Sequence, residues 1–152
     1  MRSGKRSEAA LLGVSLALFG ATALPQELPI YGGDPGGMRY SALREINRGN
    51  VQRFRPVWIF HTGDVSDGSR WAARSTFEAT PLVVHGVMYV STPFARVFVL
   101  NPETGEELWS FDPRIDRVEM SNSGVTYLSN GGKHRLFLGT VDGRLSSIVA
   151  ES

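Results

Sequence analysis

The chain has 152 residues, 41% of them hydrophobic and 20% charged, which is the composition of a globular protein rather than of a disordered one. Its 16 Lys and Arg residues nearly balance 15 Asp and Glu residues, so the net charge of +1 gives no indication of a nucleic-acid or anionic-membrane partner, and we expect no nucleic acid. Since cysteine is absent, disulfides, thiolate metal sites and cysteine nucleophiles are excluded.

The first residues have the pattern of an export signal. Three basic residues within the first six precede an uncharged stretch at 9–23, which ends in Ala21-Thr22-Ala23, the small-x-small motif that signal peptidase requires. The alternative is a membrane anchor, but a spanning helix needs about 20 apolar residues and this stretch is shorter. We predict a signal peptide at 1–23, cleaved after Ala23, and a periplasmic or secreted protein.

Residues 24–56 are predicted to form an extended lead-in segment. The run Gly32-Gly33-Asp34-Pro35-Gly36-Gly37 favours turns over any regular element. Leu43, Ile46 and Val51 are roughly in helical phase, but Gly49-Asn50 interrupts the pattern, so at most a short helical turn is expected here.

Short β-strands are predicted after this segment. The first is at 57–61, and further runs of β-branched and aromatic residues follow Thr80 at 81–84, 87–92, 97–100 and 107–111. His85-Gly86 fits a tight two-residue hairpin, and Asn101-Pro102-Glu103-Thr104-Gly105 fits a type I turn closed by a left-handed glycine. Antiparallel strands of this spacing make a sheet of the size of a propeller blade.

The sequence also matches itself at an offset of 48 residues. Met88-Tyr89-Val90-Ser91-Thr92 falls over Leu136-Phe137-Leu138-Gly139-Thr140, and Arg96, Leu100 and Glu103 fall over Arg144, Ile148 and Glu151. A fixed period of about 40 to 50 residues is typical of blade repeats, and chance matching of short β-runs is the alternative. In this register Thr104 falls over Ser152, so the sequence is expected to end within the second repeat.

These observations predict an all-β fold at 57–152, a partial β-propeller of about one and three-quarter blades of four-stranded antiparallel sheet. Propellers close with about 4 to 8 blades, and stacked repeats need about three for stability. We therefore expect this chain to be the N-terminal part of a longer propeller, to need the remaining blades as partners, and not to fold cooperatively alone.

Several segments carry a resemblance to a known family. They are Tyr31-Gly32-Gly33-Asp34-Pro35-Gly36-Gly37 with Arg39-Tyr40-Ser41, Ile46-Asn47 to Asn50-Val51, 58–64, 77–84 and 100–109. On these residues the sequence resembles the quinoprotein dehydrogenases that use pyrroloquinoline quinone (PQQ), and within them the glucose and polyol type. The resemblance implies an exported enzyme that oxidises sugars, polyols or alcohols by hydride transfer to PQQ. It also implies a calcium ion beside the cofactor and a respiratory electron acceptor.

The resemblance further assigns roles to individual residues. Trp109 corresponds to the tryptophan of a docking repeat that packs between neighbouring blades. Glu78 corresponds to a glutamate that hydrogen-bonds the cofactor, and a solvated loop carboxylate is the alternative. The cofactor-pairing arginine of the family falls at Ser123, which can donate a hydrogen bond but cannot supply a cation. The calcium ligands and the general-base aspartate are expected outside this chain, so no catalytic or metal-binding residue is assigned.

Two other interpretations stay open. One is a non-catalytic propeller scaffold of the outer-membrane assembly kind, which carries the same tryptophan repeat but has no use for Glu78 and is usually lipid-anchored through a cysteine. The other is a degenerate remnant that binds no cofactor, which the serine at position 123 favours. None of His61, His85 and His134 falls into a metal-binding spacing, so no histidine metal site is expected.

Overall fold

The structure, a computed structural model, describes residues 29–41, 43–71, 74–116 and 121–150, so the predicted signal peptide lies outside the described residues. Within these ranges the regular structure is β-strand, apart from one 3-10 turn at Val51–Arg53. The strands are β1 (Thr76–Phe77), β2 (Leu82–Val84), β3 (Val87–Ser91), β4 (Val97–Leu100), β5 (Glu107–Phe111), β6 (Ser121–Asn122), β7 (Thr126–Asn130), β8 (Lys133–Gly139) and β9 (Leu145–Val149). Over the same ranges, no helix is long and apolar enough to cross a membrane.

The first sheet is a four-stranded antiparallel blade in the order β2-β3-β4-β5. His85 and Gly86, which connect β2 to β3, both have positive φ (51° and 73°), as the predicted tight hairpin requires. At the β4–β5 turn the Gly105 N–H donates to the Asn101 carbonyl at 2.8 Å, and Gly105 has the predicted left-handed backbone, with φ of 74°. The turn chemistry in the sequence therefore predicted this blade correctly.

The second sheet has the order β7-β8-β9, and its pairing follows the 48-residue offset. Met88 pairs with Leu100 in the first blade, and Leu136 pairs with Ile148 in the second. The following turns also correspond, because the Thr92 N–H donates to the Arg96 carbonyl and the Thr140 N–H to the Arg144 carbonyl, each at 2.9 Å. Strand register and sequence offset thus coincide.

The main core lies between the two blades. It contains side chains of the first blade and of the second, which bury one face of each sheet against the other: Leu82, Val84, Tyr89, Val97, Val99, Val125, Leu136, Leu138 and Ala150. Trp109 is partly buried against the same cluster. Apolar burial of this kind contributes about 25 cal/mol per Å² and holds the blades face to face.

The opposite face of the first blade is covered by the chain at 58–60. Trp58 and Phe60 pack against the buried residues Val90, Phe98 and Leu100. Phe60 and Phe98 meet edge to face, with ring centroids 5.1 Å apart. The prediction of a strand at 57–61 is wrong for the described structure, because no described strand pairs with this segment and it remains an extended stretch.

Trp58 docks onto the β4–β5 turn of the first blade. Its indole N–H donates to the Pro102 carbonyl at 3.0 Å. The ring lies so close to Gly105 that a Cβ there would be only 2.5 Å from the indole Cδ2. The resemblance assigns tryptophan docking to Trp109. Trp58, which it does not single out, docks onto a turn of the first blade rather than between two blades.

A buried ion pair fastens the next part of the lead-in to the blade. Asp64, 4% exposed, forms an ion pair with Arg96 in the β3–β4 turn and accepts a hydrogen bond from Thr92 Oγ1 at 2.5 Å. Arg96 Nε donates to the same carboxylate at 2.9 Å, and its Nη2 also donates to the Thr62 carbonyl at 2.6 Å. Hydrogen bonding to Asp64 raises the pKa of Arg96 above its ordinary value, so the guanidinium stays charged.

Candidate functional site

The two blades meet at one edge through a short parallel pairing. β1 pairs with β6, with Thr76 opposite Ser121 and Phe77 opposite Asn122. β1 precedes β2, the edge strand that begins the first blade, and β6 precedes β7, the edge strand that begins the second. The residues that follow this pairing therefore lie side by side where the two blades meet.

Glu78 and Ser123 are those following residues, and we call them the rim pair. Glu78 follows Phe77 and Ser123 follows Asn122, so the parallel register places these two residues next to each other on the edge. Both residues are exposed, and neither side chain makes a hydrogen bond or ion pair with a described residue. A carboxylate and a hydroxyl are thus free to bind a ligand at this edge.

Asn122 is buried beside the rim pair and joins the two blades. Its Oδ1 accepts hydrogen bonds from Ser91 Oγ at 2.6 Å and from the Gly124 N–H at 3.0 Å, and its Nδ2 donates to the Gly139 carbonyl at 3.1 Å. Ser91 ends β3 and Gly139 ends β8. We call this residue with its three partners the Asn122 hub.

The rim pair carries hydrogen-bonding groups of the kind that a planar, polar quinone needs. An unpaired carboxylate and an unpaired hydroxyl on neighbouring blades fit one edge of such a group, because they provide hydrogen-bond acceptors and a donor without first breaking a contact. They provide no positive charge. The ion pairs of the described residues, Arg96 with Asp64 and Arg144 with Asp142, both lie elsewhere. The rim pair can therefore form hydrogen bonds to a bound quinone, but it supplies no cation to balance negative charge on the quinone.

The lead-in loop lies close to this edge. A cavity of about 380 Å³ is lined by Tyr31, Arg39, Tyr40, Thr80 and Pro81, among other residues. Thr80 is two residues beyond Glu78. The Arg39 guanidinium lies over the Tyr31 ring, 4.8 Å from its centroid, and donates to the Tyr31 hydroxyl. The glycine-rich loop therefore lies beside the residues that lead into β2.

The structure also brings together two histidines that are distant in sequence. The rings of His85 and His134 are 5.7 Å apart, and His134 Nδ1 lies 2.8 Å from the Tyr127 hydroxyl. The spacing of histidines along the chain gives no sign of this contact, because it joins two neighbouring blades. No group of three or more His, Cys, Asp or Glu residues that could hold a metal ion occurs in the described part of the chain.

Comparison with protein families gives one match that covers most of the chain. The PQQ family model, described as the glucose/ethanol/alcohol dehydrogenase β-propeller domain, matches residues 28–152.

Individual relatives agree with this match. The chain is 33% identical to a 1-butanol dehydrogenase (cytochrome c) of Thauera butanivorans, over 97% of this chain and 21% of the relative. It is 32% identical to the quinoprotein glucose dehydrogenase of Escherichia coli, over 84% of this chain and 18% of the relative. The chain thus spans about a fifth of the length of these curated relatives.

A solved structure shows the same fold. The crystal structure of the quinohemoprotein alcohol dehydrogenase from Comamonas testosteroni superimposes with a TM-score of 0.70 and 32% identity, over 84% of this chain and 18% of that one. This likeness confirms the predicted all-β, partial propeller.

Proposed function

The chain belongs to the PQQ family of glucose/ethanol/alcohol dehydrogenase β-propellers, and from this membership we propose that it is the N-terminal part of an exported PQQ-dependent dehydrogenase. In this proposal residues 1–23 are the signal peptide, 24–56 the lead-in and 57–152 the first propeller repeats. The intact enzyme would be periplasmic or secreted. The remaining blades would complete its ring.

The rim pair is the observation that carries the proposal. Glu78 and Ser123 follow the paired residues Phe77 and Asn122, so one exposed residue from each blade reaches the same edge. An exposed carboxylate without a protein partner is a poor structural element but a ready ligand contact. This arrangement favours a cofactor-binding enzyme over a scaffold, because blade packing in the structure does not use Glu78.

PQQ, when bound, would supply a quinone that accepts hydride from the substrate. Glu78 would hold the cofactor through hydrogen bonds at its carboxylate, and Ser123 would contribute a hydroxyl. Because neither residue can stabilise negative charge on a quinone oxygen with a cation, the compensating charge must come from another part of the enzyme. The calcium ligands and the general base are expected in later blades.

The substrate of the intact enzyme is proposed to be a sugar, polyol or alcohol. This range follows the names of the relatives, which include a glucose dehydrogenase and a 1-butanol dehydrogenase. The electron acceptor is proposed to be respiratory, and the name of the butanol enzyme gives cytochrome c as its acceptor.

The test compares residues 24–152 alone with the protein extended by the reading frame that follows. Each is titrated with PQQ and calcium while cofactor absorbance and substrate-dependent dye reduction are measured. We expect binding and turnover in the extended protein only. A folded extended protein that binds no quinone would instead support the scaffold or the remnant.

The role of Glu78 is tested with Glu78→Ala in the extended protein. A hydrogen bond to a charged group contributes about 1.5 to 3 kcal/mol, so we expect the Kd for PQQ to rise roughly 10- to 100-fold. The matched control is Glu103→Ala, which removes another exposed carboxylate of the first blade, at the β4–β5 turn. If the two variants bind PQQ equally well, Glu78 is a solvated loop carboxylate.

A further inference from the structure

We propose that Asn122 is a positioning residue that sets the spacing of the two blades at the rim and thereby holds Glu78 and Ser123 in place for the cofactor. The inference rests on the proposed function, because it concerns the same edge. Asn122 itself is buried and is not proposed to touch the cofactor.

Two of the three hydrogen bonds of the Asn122 side chain connect equivalent points of the two blades. Ser91 and Gly139 are 48 residues apart, the offset at which β3–β4 and β8–β9 pair identically. Oδ1 accepts from Ser91 Oγ in the first blade, and Nδ2 donates to the Gly139 carbonyl in the second. The Asn122 side-chain amide therefore fixes the separation of the two blades next to the rim pair.

The chemistry of the site requires an amide. The side chain at position 122 must accept from Ser91 Oγ and from the Gly124 N–H, and it must also donate to a carbonyl. A carboxylate could keep the two accepted bonds, but it would place an oxygen against the Gly139 carbonyl. Ser91 is fully buried and Asn122 is 9% exposed, so water is poorly placed to replace a lost partner.

The hub controls both members of the rim pair. Oδ1 of Asn122 holds the Gly124 N–H, so the residues on both sides of Ser123 are fixed. The backbone of Asn122 pairs with Phe77, which directly precedes Glu78. A shift of Asn122 would therefore move Ser123 and Glu78 together, whereas a loss of apolar packing deeper between the blades would not act on the rim so directly.

The experiment uses the same extended protein as the test of the proposed function. It measures equilibrium PQQ binding, thermal unfolding and amide hydrogen exchange of Gly124. The variants are Asn122→Ala, Asn122→Asp and Ser91→Ala. The matched control is Asn101→Ala, because Asn101 Oδ1 also accepts two turn N–H groups, those of Glu103 and Thr104, but at the β4–β5 turn. Asn122→Asp and Ser91→Ala each remove only part of the hub and keep the test informative if Asn122→Ala does not fold.

In metal sites, loss of a residue that hydrogen-bonds to a metal-binding side chain and orients it lowers the affinity for the metal about 10- to 100-fold. We expect at least a tenfold rise in the Kd for PQQ in Asn122→Ala and Asn122→Asp, and a smaller rise in Ser91→Ala. Exchange of the Gly124 amide should become faster in Asn122→Ala, which removes its acceptor. Asn101→Ala should keep the wild-type Kd even where it lowers the melting temperature.

Two results would overturn the inference in distinguishable ways. If the wild-type protein binds PQQ and the hub variants bind it equally well despite a lower melting temperature, the hub is only a structural contact and the proposed function stands. If the folded wild-type protein binds no PQQ, the proposed function fails and the inference fails with it.

Discussion

Replacing Gly105 with alanine tests whether the docking of Trp58 on the β4–β5 turn stabilises the fold. Gly105 has φ of 74°, and this left-handed conformation costs an alanine about 1 to 2 kcal/mol. The new Cβ would also lie 2.5 Å from Trp58 Cδ2 and 2.6 Å from Cε3, so the indole would have to move. The displaced ring would lose its hydrogen bond to the Pro102 carbonyl and part of its packing on the blade.

The magnitudes follow from burial and hydrogen bonding. Removal of roughly 100 Å² of buried indole surface costs about 2.5 kcal/mol, and the lost hydrogen bond about 1 kcal/mol, so Trp58→Ala should destabilise the protein by about 3.5 kcal/mol. In the wild type, Gly105→Ala should cost about 3 to 4 kcal/mol. In the Trp58→Ala background only the backbone cost of about 1 to 2 kcal/mol remains. The expected coupling is about 2 kcal/mol.

The assay is denaturant unfolding of the wild type, both single variants and the double variant, each made as the full-length protein. Gly143→Ala is the matched control, because Gly143 has φ of 81° but no atom within 4 Å of its would-be Cβ. It should cost about 1 to 2 kcal/mol with or without Trp58. If Gly105→Ala costs the same in both backgrounds, the docking of Trp58 makes no energetic contribution and the reasoning is wrong.

Two further predictions concern charge and pH. Asp64→Ala should destabilise the protein by about 3 kcal/mol because it leaves Arg96 without its buried partner. Asp142→Ala, which breaks the exposed pair with Arg144, should change the unfolding free energy far less. Equal losses of unfolding free energy in the two variants would contradict this prediction. Burial raises the pKa of Tyr89, so the stabilising contribution of its neutral phenol is complete below pH 10 and is lost as the pH rises through the folded-state pKa. Tyr89→Phe should flatten the fall of unfolding free energy above pH 10, and an unchanged slope would exclude this role.

Local sequence chemistry predicted most of the first blade. The hairpin at His85-Gly86 and the turn at Gly105 need positive φ, and both were recognised from the residue types. The offset of 48 residues also located the second sheet, since blade repeats keep the same length between equivalent strands. The lead-in segment was expected to contain at most a short helical turn, and the structure has a single 3-10 turn there, at Val51–Arg53.

Contacts between blades could not be predicted in the same way. Asn122 reaches Ser91 and Gly139, which lie 31 and 17 residues away. The angle between neighbouring blades decides whether these atoms meet, and no local pattern encodes that angle. The contact of His85 with His134 was missed for the same reason. The strand predicted at 57–61 failed because a strand requires a partner as well as a favourable sequence.

The distribution of polar and apolar contacts explains why the rim would depend on Asn122 rather than on the core. Apolar packing among residues such as Val99, Leu136 and Leu138 is strong but non-directional, so it tolerates small shifts of one blade over the other. A buried hydrogen bond tolerates far less, because it weakens steeply with distance and angle. Misplacement of a binding group by about 1 Å can cost a hundredfold in rate. A cofactor-binding edge built from two blades would therefore need a polar contact beside it. Asn122 makes hydrogen bonds to both blades next to Glu78 and Ser123.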